Sequence, residues 1–270
     1  MSSLAKVSVV IPYYNNANTI IQTLQSVLNQ NYKFIEIIIV DDGSKDKTYE
    51  ILVEFIKTYS IKNLQIIKQE NQGPSLARNN GANHASGKYL VFIDADDYID
   101  CRYIEKCISI IDNHSEIEII YSDVEFFGSK NGKWKLADYK ISSFLTGNCI
   151  PIFAMIKTDT FLEVGGFDQN LKYTEDFELW IKIIKKYGNC VYKIQEILYY
   201  YRKSEEMTSI TDNEDEDDLV GKSFLYIYNK HYDFYKQNNL DIINLLLTFK
   251  YKNKYKNLWY KKIFKKLLNK

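Results

Sequence analysis

The chain has 270 residues, 46% of them hydrophobic, with 35 Lys and Arg against 35 Asp and Glu. Such a length and apolar fraction bury the core of one large domain, with or without an extension, and exclude a disordered chain. A formal net charge of zero excludes a whole-molecule bias toward nucleic acid, although acids crowd into 211–218 ("TDNEDEDD") and lysines into an acid-free stretch from Ile242 onward.

The first residues, Met1 to Lys6, pass into an apolar run without a signal-peptide core, and no uninterrupted apolar stretch nears the ~18 residues of a membrane span. The expected location is therefore cytoplasmic. Cys101, Cys107, Cys149 and Cys190 lack metal-ligand spacing and are expected to be buried free thiols.

Short runs rich in β-branched and aromatic residues at 7–11, 35–40, 64–68, 89–93 and 117–123 predict strands. Helical spacing between them predicts βαβ units around a mostly parallel sheet. The first helix carries Ile20, Ile21, Leu24, Val27 and Leu28 on one face, with Asn16 or Asn18 as cap; the third follows "NQGPS", with Ser75 as cap and Gly81 inside. Asp97 and Asp100 are expected to cap a helix starting near Arg102. Beyond residue 123 the chain predicts a hairpin turning at Lys130-Asn131-Gly132, a strand near 152–156, a turn at 164–168, a helix over 175–187, and short strands near Val191 and 198–201. From about Leu219 it reads as helical and separate from the sheet. The predicted organisation is a catalytic domain over 1–205, an acidic linker over 206–218, and a helical extension over 219–270.

Ligands of open α/β sheets bind beyond the carboxyl ends of the strands. Four polar loops fall there: "PYYNN", "DDGS", "QENQGPSLARNNG" and "DADD". Asp94 and Asp96, two residues apart at a strand end, can offer oxygens to a hard cation such as Mg²⁺ or Mn²⁺, or can belong to a solvated turn. Asp42 can accept an N–H from a nucleobase, and Tyr13 or Tyr14 can stack on one, while Asp-Gly turns and packed tyrosines are also ordinary. Arg78, in the early turns of the third helix, suits an anion or a salt bridge to one of the aspartates. Glu175 and Asp176 open a helix whose dipole favours acids. A carboxylate there can also serve as a general base toward an attacking hydroxyl.

Taken in order, "VSVVIPYYNN", "VDDGSKDKT", "NQGPSLARNNG", "YLVFIDADD" and "VGGFDQNLKYTEDFELW" resemble the family 2 glycosyltransferases of the GT-A fold, over about residues 5–202. The resemblance implies a Rossmann-like α/β sheet flanked by helices, an inverting single displacement, and a nucleotide-diphospho-sugar donor, most often UDP-linked, bridged by Mn²⁺ or Mg²⁺. It implies that Pro12 and Tyr14 line the base pocket and that Asp42 contacts the base. Arg78 would lie near base and diphosphate, Asp94 and Ala95 near ribose and sugar; Asp96 would ligate the metal and Asp176 would act as base. Asn15, Asp41 and Glu175 belong to the same motifs, and Arg202 to the segment "YYRKS" that closes the region of resemblance. Trp180 is expected to pack.

One departure stands out: where many members have Arg-x-His, "YYRKS" places Ser204, so Arg202 and Lys203 are expected to take over diphosphate contacts or metal binding to weaken. No "QxxRW" follows the base, which favours transfer of a single sugar to a glycan or lipid-linked acceptor, as in bacterial surface polysaccharide synthesis. A nucleotidyltransferase would need glycines in "IPYYNNAN"; a degenerate sugar-nucleotide binder or scaffold is the remaining alternative. The stretch 249–270 alternates lysines with Tyr255, Leu258, Trp259, Ile263, Phe264, Leu267 and Leu268 near one helical face. It suits peripheral contact with the inner face of the membrane, or docking on the domain or on a second subunit. The sequence leaves the oligomeric state open.

Overall fold

The computed structural model describes residues 4–134, 136–204 and 216–244. Strand β1 (Val7–Tyr13) is buried throughout, as a continuous apolar run covered on both faces requires. Its neighbour β4 (Tyr89–Phe92) stops pairing at Val10, so Pro12, which has no N–H, leaves no ladder partner unsatisfied on that side. Parallel β2 (Ile35–Asp42) and β3 (Leu64–Gln69) extend the sheet the other way, giving the order β3-β2-β1-β4. Helices α1 (Ile20–Leu28) and α2 (Thr48–Tyr59) make the first two crossovers, and α3 (Pro74–Asn83) makes the return. Right-handed connections place α1 and α2 on one face and α3 on the other, with the topological switch between β1 and β4.

The α3 crossing is close. A Cβ on Gly81 would meet Val10 Cγ1 at 2.4 Å and Val40 Cγ2 at 3.0 Å, which is why the helix carries a glycine in its interior.

Next come β5 (Tyr98–Ile99), α4 (Tyr103–Ile111), β6 (Ile119–Gly128), β7 (Gly132–Trp134), α5 (Ile141–Phe144), β8 (Met155–Lys157), α6 (Thr158–Glu163), α7 (Glu175–Tyr187) and β9 (Val191–Lys203). Strand β8 is antiparallel to both β4 and β6, and β9 is parallel to β6. The carboxyl ends of β4, β6 and β9 therefore share one edge with those of β1, β2 and β3. The expected hairpin is present, β7 pairing with β6 through Phe126 and Gly132.

Several local expectations are corrected. The two short strands predicted near 191 and 198–201 are one strand, β9, whose register against β6 shifts around Asp123, so bulges had hidden its continuity. The first helix is preceded by Thr19; Asn16 receives the Ile20 N–H on its carbonyl while its side chain accepts from Tyr14, and Asn18 makes no cap. Gly73, at φ +90°, holds the cap position of α3 with Pro74 first in the helix, so Ser75 is already inside it. Asp100 does bind the Arg102 N–H, but Asp97 is 2% exposed and turned inward. Cys107, Cys149 and Cys190 are buried, while Cys101 is exposed.

The C-terminal helices α8 (Glu216–Lys230) and α9 (Tyr232–Gln237) do not stand apart from the domain. Phe224 packs on Phe177 of α7 at 5.5 Å between centroids. Lys230 reaches Asp168 at 2.6 Å and Glu178 at 2.9 Å; Tyr226 donates to Asp168, and His231 Nε2 meets Glu178 at 2.9 Å. Of the expected acidic linker, 206–215 lies outside the described residues and 216–218 opens α8; the basic stretch 249–270 also lies outside them. No helix among the described residues is long and apolar enough to cross a membrane.

Candidate active site

The loops after β1 and β2 are stitched together. Asn15, at φ +58°, accepts from the Lys45 and Asp46 N–H groups through Oδ1 and donates its own N–H to Ser44 Oγ. Asp41 Oδ1 accepts the Ser44 N–H. Pro12 is buried beneath this turn, whereas the Tyr14 ring is 45% exposed at the edge. Tyr13 points into the core instead, at 2% exposure.

Asp42 is 4% exposed, and its carboxylate accepts from Gln72 N–H, Gly73 N–H and Gln69 Nε2 at 2.8–2.9 Å. Asp42 thereby orders the loop leading into α3. Gly43 lets that loop approach, because a Cβ there would sit 2.8 Å from Asn71 N and its φ is +75°.

The centre of the site is Arg78. Its side chain is 6% exposed, donating through one terminal nitrogen to Asp94 Oδ1 at 2.6 Å and through the other to Glu175 Oε1 at 2.9 Å. A buried guanidinium requires compensating charge. Meeting that requirement ties the end of β4 to the first turn of α7.

Beyond Asp94 the chain turns through buried Ala95 to Asp96. Burial, and then the neighbouring Asp94 carboxylate, push the Asp96 carboxyl up to about 6, with Arg202 opposing. Asp97 is raised as well, by burial first and then by Asp96 and Asp94, although it accepts the Tyr199 hydroxyl at 2.7 Å and the Arg202 N–H at 2.8 Å. Arg202 in turn donates from Nε to the Asp96 carbonyl at 2.8 Å, bonds Gln22 of α1, and lies 4.4 Å over the Phe127 ring. The positive group nearest the DxD turn after Arg78 is therefore supplied by β9.

Asp176 sits in the first turn of α7. Its Oδ2 accepts from Asn148 Nδ2 at 2.9 Å and its Oδ1 from the Phe177 N–H at 2.7 Å. Burial, then the Glu175 charge, raise its carboxyl to about 7, against the pull of the Phe177 N–H, Arg78 and Asn148. A carboxyl of that strength takes a proton readily at neutral pH. Trp180, fully buried, donates Nε1–H to the Ile150 carbonyl at 2.8 Å and so holds the 148–150 segment against α7. That is the packing role expected of it.

The structure thus gathers Asp94, Ala95, Asp96, Arg78, Glu175, Asp176 and Arg202 at one edge, with Tyr14 and Asn15 on the loop after β1. Sequence reasoning missed Asn148 and Tyr199 and read Asp97 only as a helix cap. Asn148 has no signal beyond being polar before a buried run, whereas the lone acid after "DAD" and the tyrosines before Arg202 were open to pairing.

A family model described as glycosyl transferase family 2 matches residues 8–166. Among curated proteins, the minor teichoic acid biosynthesis protein GgaA of Bacillus subtilis is 30% identical over 247 residues, covering 83% of this chain and 52% of that protein. The corresponding protein GgaB is 32% identical over 219 residues, covering 75% and 23%. The chain thus spans about half or less of the length of these relatives. Among solved structures, S. aureus TarS in complex with UDP-GlcNAc superposes with a TM-score of 0.65 at 21% identity, over 85% of this chain and 73% of that one. The mannosyltransferase PcManGT from Pyrobaculum calidifontis, in complex with GDP-Man and Mn²⁺, gives 0.60 at 14% identity, over 97% and 83%.

Proposed function

The chain belongs to glycosyl transferase family 2, and from that premise we propose that it moves one hexose from a UDP-linked donor to a hydroxyl of a glycan or lipid-linked acceptor, with inversion at the anomeric carbon. Its fold is the GT-A arrangement, a mostly parallel sheet flanked by helices. The observation that carries the reading is the double bond-pair of Arg78, which brings the acidic turn after β4 and the helix bearing Asp176 to one place. The chemistry needs a cationic group for a departing diphosphate and a base on the acceptor side, and Arg78 and Asp176 supply them.

In this reading the exposed Tyr14 ring, above Pro12, stacks the nucleobase, and the Asp42-ordered loop closes the pocket. Arg78 and Arg202 take negative charge as the nucleoside diphosphate leaves. Asp176 Oδ accepts the proton of the attacking hydroxyl, with Asn148 fixing the carboxylate and Glu175 keeping it basic. Attack from the face opposite the leaving group gives inversion.

A divalent cation fits the same turn. Burial first and then the Asp94 carboxylate raise Asp96, and a cation held there would offset both. Among the described residues no group of at least three His, Cys, Asp or Glu is placed to hold a metal ion. Asp96, with Asp94, would therefore hold it and leave its other positions to diphosphate oxygens and water. When bound, such an ion supplies charge neutralisation on the diphosphate. With Ser204 where a histidine is common, Arg202 on the Asp96 carbonyl is the residue that compensates.

The UDP preference draws support from the TarS complex, and a place in surface polysaccharide synthesis from the names of GgaA and GgaB. Residues 1–205 form the catalytic domain in this reading, and residues 219–270 an extension whose described part, to 244, braces it. The test is UDP release from a panel of UDP-hexoses with hydroxyl acceptors, followed by the anomeric configuration of the product. Turnover that Asp176→Asn abolishes while UDP still binds is the expected result; retention of configuration, or turnover unaffected by the substitution, overturns the assignment.

A further inference from the structure

The β6–β7 hairpin carries aromatic groups that the mechanism above does not use. It rises past the same edge as Asp94 and Asp96, where Phe126 is in register with Tyr201 and Phe127 with Arg202. Side chains alternate across a sheet, so Phe126, Tyr201 and Trp134, the partner of Val124, share one face, and Phe127 and Arg202 share the other. Phe126 and Trp134 stack with centroids 5.3 Å apart and 18° between their planes. Tyr201 stands edge-on to them at 6.0 and 5.7 Å. All three rings are half-buried, so part of each faces out.

Charge marks the same place. Lys130 Nζ lies 5.1 Å from the Phe126 centroid and Lys203 Nζ 5.2 Å from that of Tyr201. Lys133 and Lys193 are neutralised by Asp123, whereas Lys130 and Lys203 pair with no carboxylate among the described residues. The group also borders the site at both ends. Arg202, between Tyr201 and Lys203, binds the Asp96 carbonyl, and the chain leaving Trp134 runs through α5 to Asn148 on Asp176.

Resting on the transferase reading above, we propose that this lysine-flanked aromatic platform is an acceptor subsite for an anionic glycan, one whose sugars are linked through phosphate groups. The C–H face of a sugar ring lies on Trp134 and Phe126, and Lys130 and Lys203 take an adjacent phosphate. Rings alone suit any glycan; ammonium groups beside them that pair with no carboxylate among the described residues select a phosphate-bearing one.

The experiment titrates two probes into the full chain by calorimetry: a hexosylated glycerol-phosphate oligomer and the neutral maltohexaose. UDP is titrated in parallel as the report on the donor site. The expected result is binding of the anionic oligomer that weakens with salt and exceeds that of maltohexaose. Trp134→Leu should weaken it about three- to tenfold, the scale of a lost aromatic contact. Lys130→Glu, an exposed change that spares the core, should weaken it more, with UDP binding unchanged in both variants. The proposal is overturned if the oligomer does not bind, if the charge-reversed variant binds it as the wild type does, if maltohexaose binds equally well, or if anionic phosphatidylglycerol vesicles displace it completely, which would make the surface a membrane contact. Failure of UDP to bind the wild type would count against the donor reading and leave the oligomer result to judge the platform.

Discussion

Replacing Asp176 by asparagine removes a charge that folding has to bury. Burial and the Glu175 carboxylate raise the Asp176 carboxyl from the ordinary value near 4 to about 7. At 1.36 kcal/mol per pH unit, that rise corresponds to a ceiling of ~4 kcal/mol held against the folded state. Asp176 retains some exposure, so about half that figure, ~2 kcal/mol, is the working expectation. The sign follows from the raised folded value: below pH 4 the carboxyl is protonated in both states and costs nothing, and the penalty grows until pH passes 7. Urea unfolding of wild type and Asp176→Asn at pH 5, 7 and 8.5 is the assay. The variant should gain stability over the wild type as pH rises, by ~2 kcal/mol at the alkaline end, a few degrees in Tm for a domain of this size, and should lose transfer at every pH. Destabilisation at pH 8.5, or a difference independent of pH, would refute the argument that this carboxylate is held under strain for chemistry.

Lys230→Met leaves Asp168 and the fully buried Glu178 short of a cation, and should cost about 1–3 kcal/mol at pH 7 by urea unfolding. Both carboxyls are buried but held low by Lys230 and their other partners, so this cost should shrink below about pH 4, where they protonate in the variant. The same change should raise KM for acceptor more than for donor, since Asp168 ends the turn that precedes the α7 loop. Gly81→Ala forces a methyl onto Val10 and should destabilise by about 1–3 kcal/mol despite alanine's better helix propensity; stabilisation would show that α3 sits farther from the sheet. Arg78→Met strands Asp94 and Glu175 without their cation, and a loss of about 3 kcal/mol in thermal or urea unfolding is expected. Arg78→Lys should recover part of the stability but little donor turnover, because one ammonium cannot span both carboxylates.

The parallel half of the sheet was legible because β1, β2 and β4 are buried on both faces and so read as unbroken apolar runs. The site edge was legible for a related reason: polar residues such as Asn15 and Asp96 have no folding use directly after such runs unless loops converge there. What stayed hidden depends on long-range packing. Asn148 reaches Asp176 only because Phe144 lies against Phe177, 5.1 Å between ring centroids, and because Trp180 holds the Ile150 carbonyl. Residues 78 and 175 meet across 97 positions, a contact no local pattern encodes. Strand β9 was split in two on paper because its bulges break the alternation that marks a strand. The docking of α8 on α7 was missed since its determinants, Glu178, Lys230 and His231, are polar residues that read as surface until the burial of Glu178 and His231 and the reach of Lys230 to Glu178 are seen.

Titration of UDP into the wild type and Asp96→Ala, each with and without Mn²⁺, tests the central claim most directly. The account predicts that UDP binds the wild type, that Mn²⁺ tightens it by about tenfold or more, the equivalent of 1.4 kcal/mol, and that Asp96→Ala loses that gain while remaining folded. Absence of UDP binding to the wild type under either condition, or an equal response of the two proteins to Mn²⁺, would contradict it.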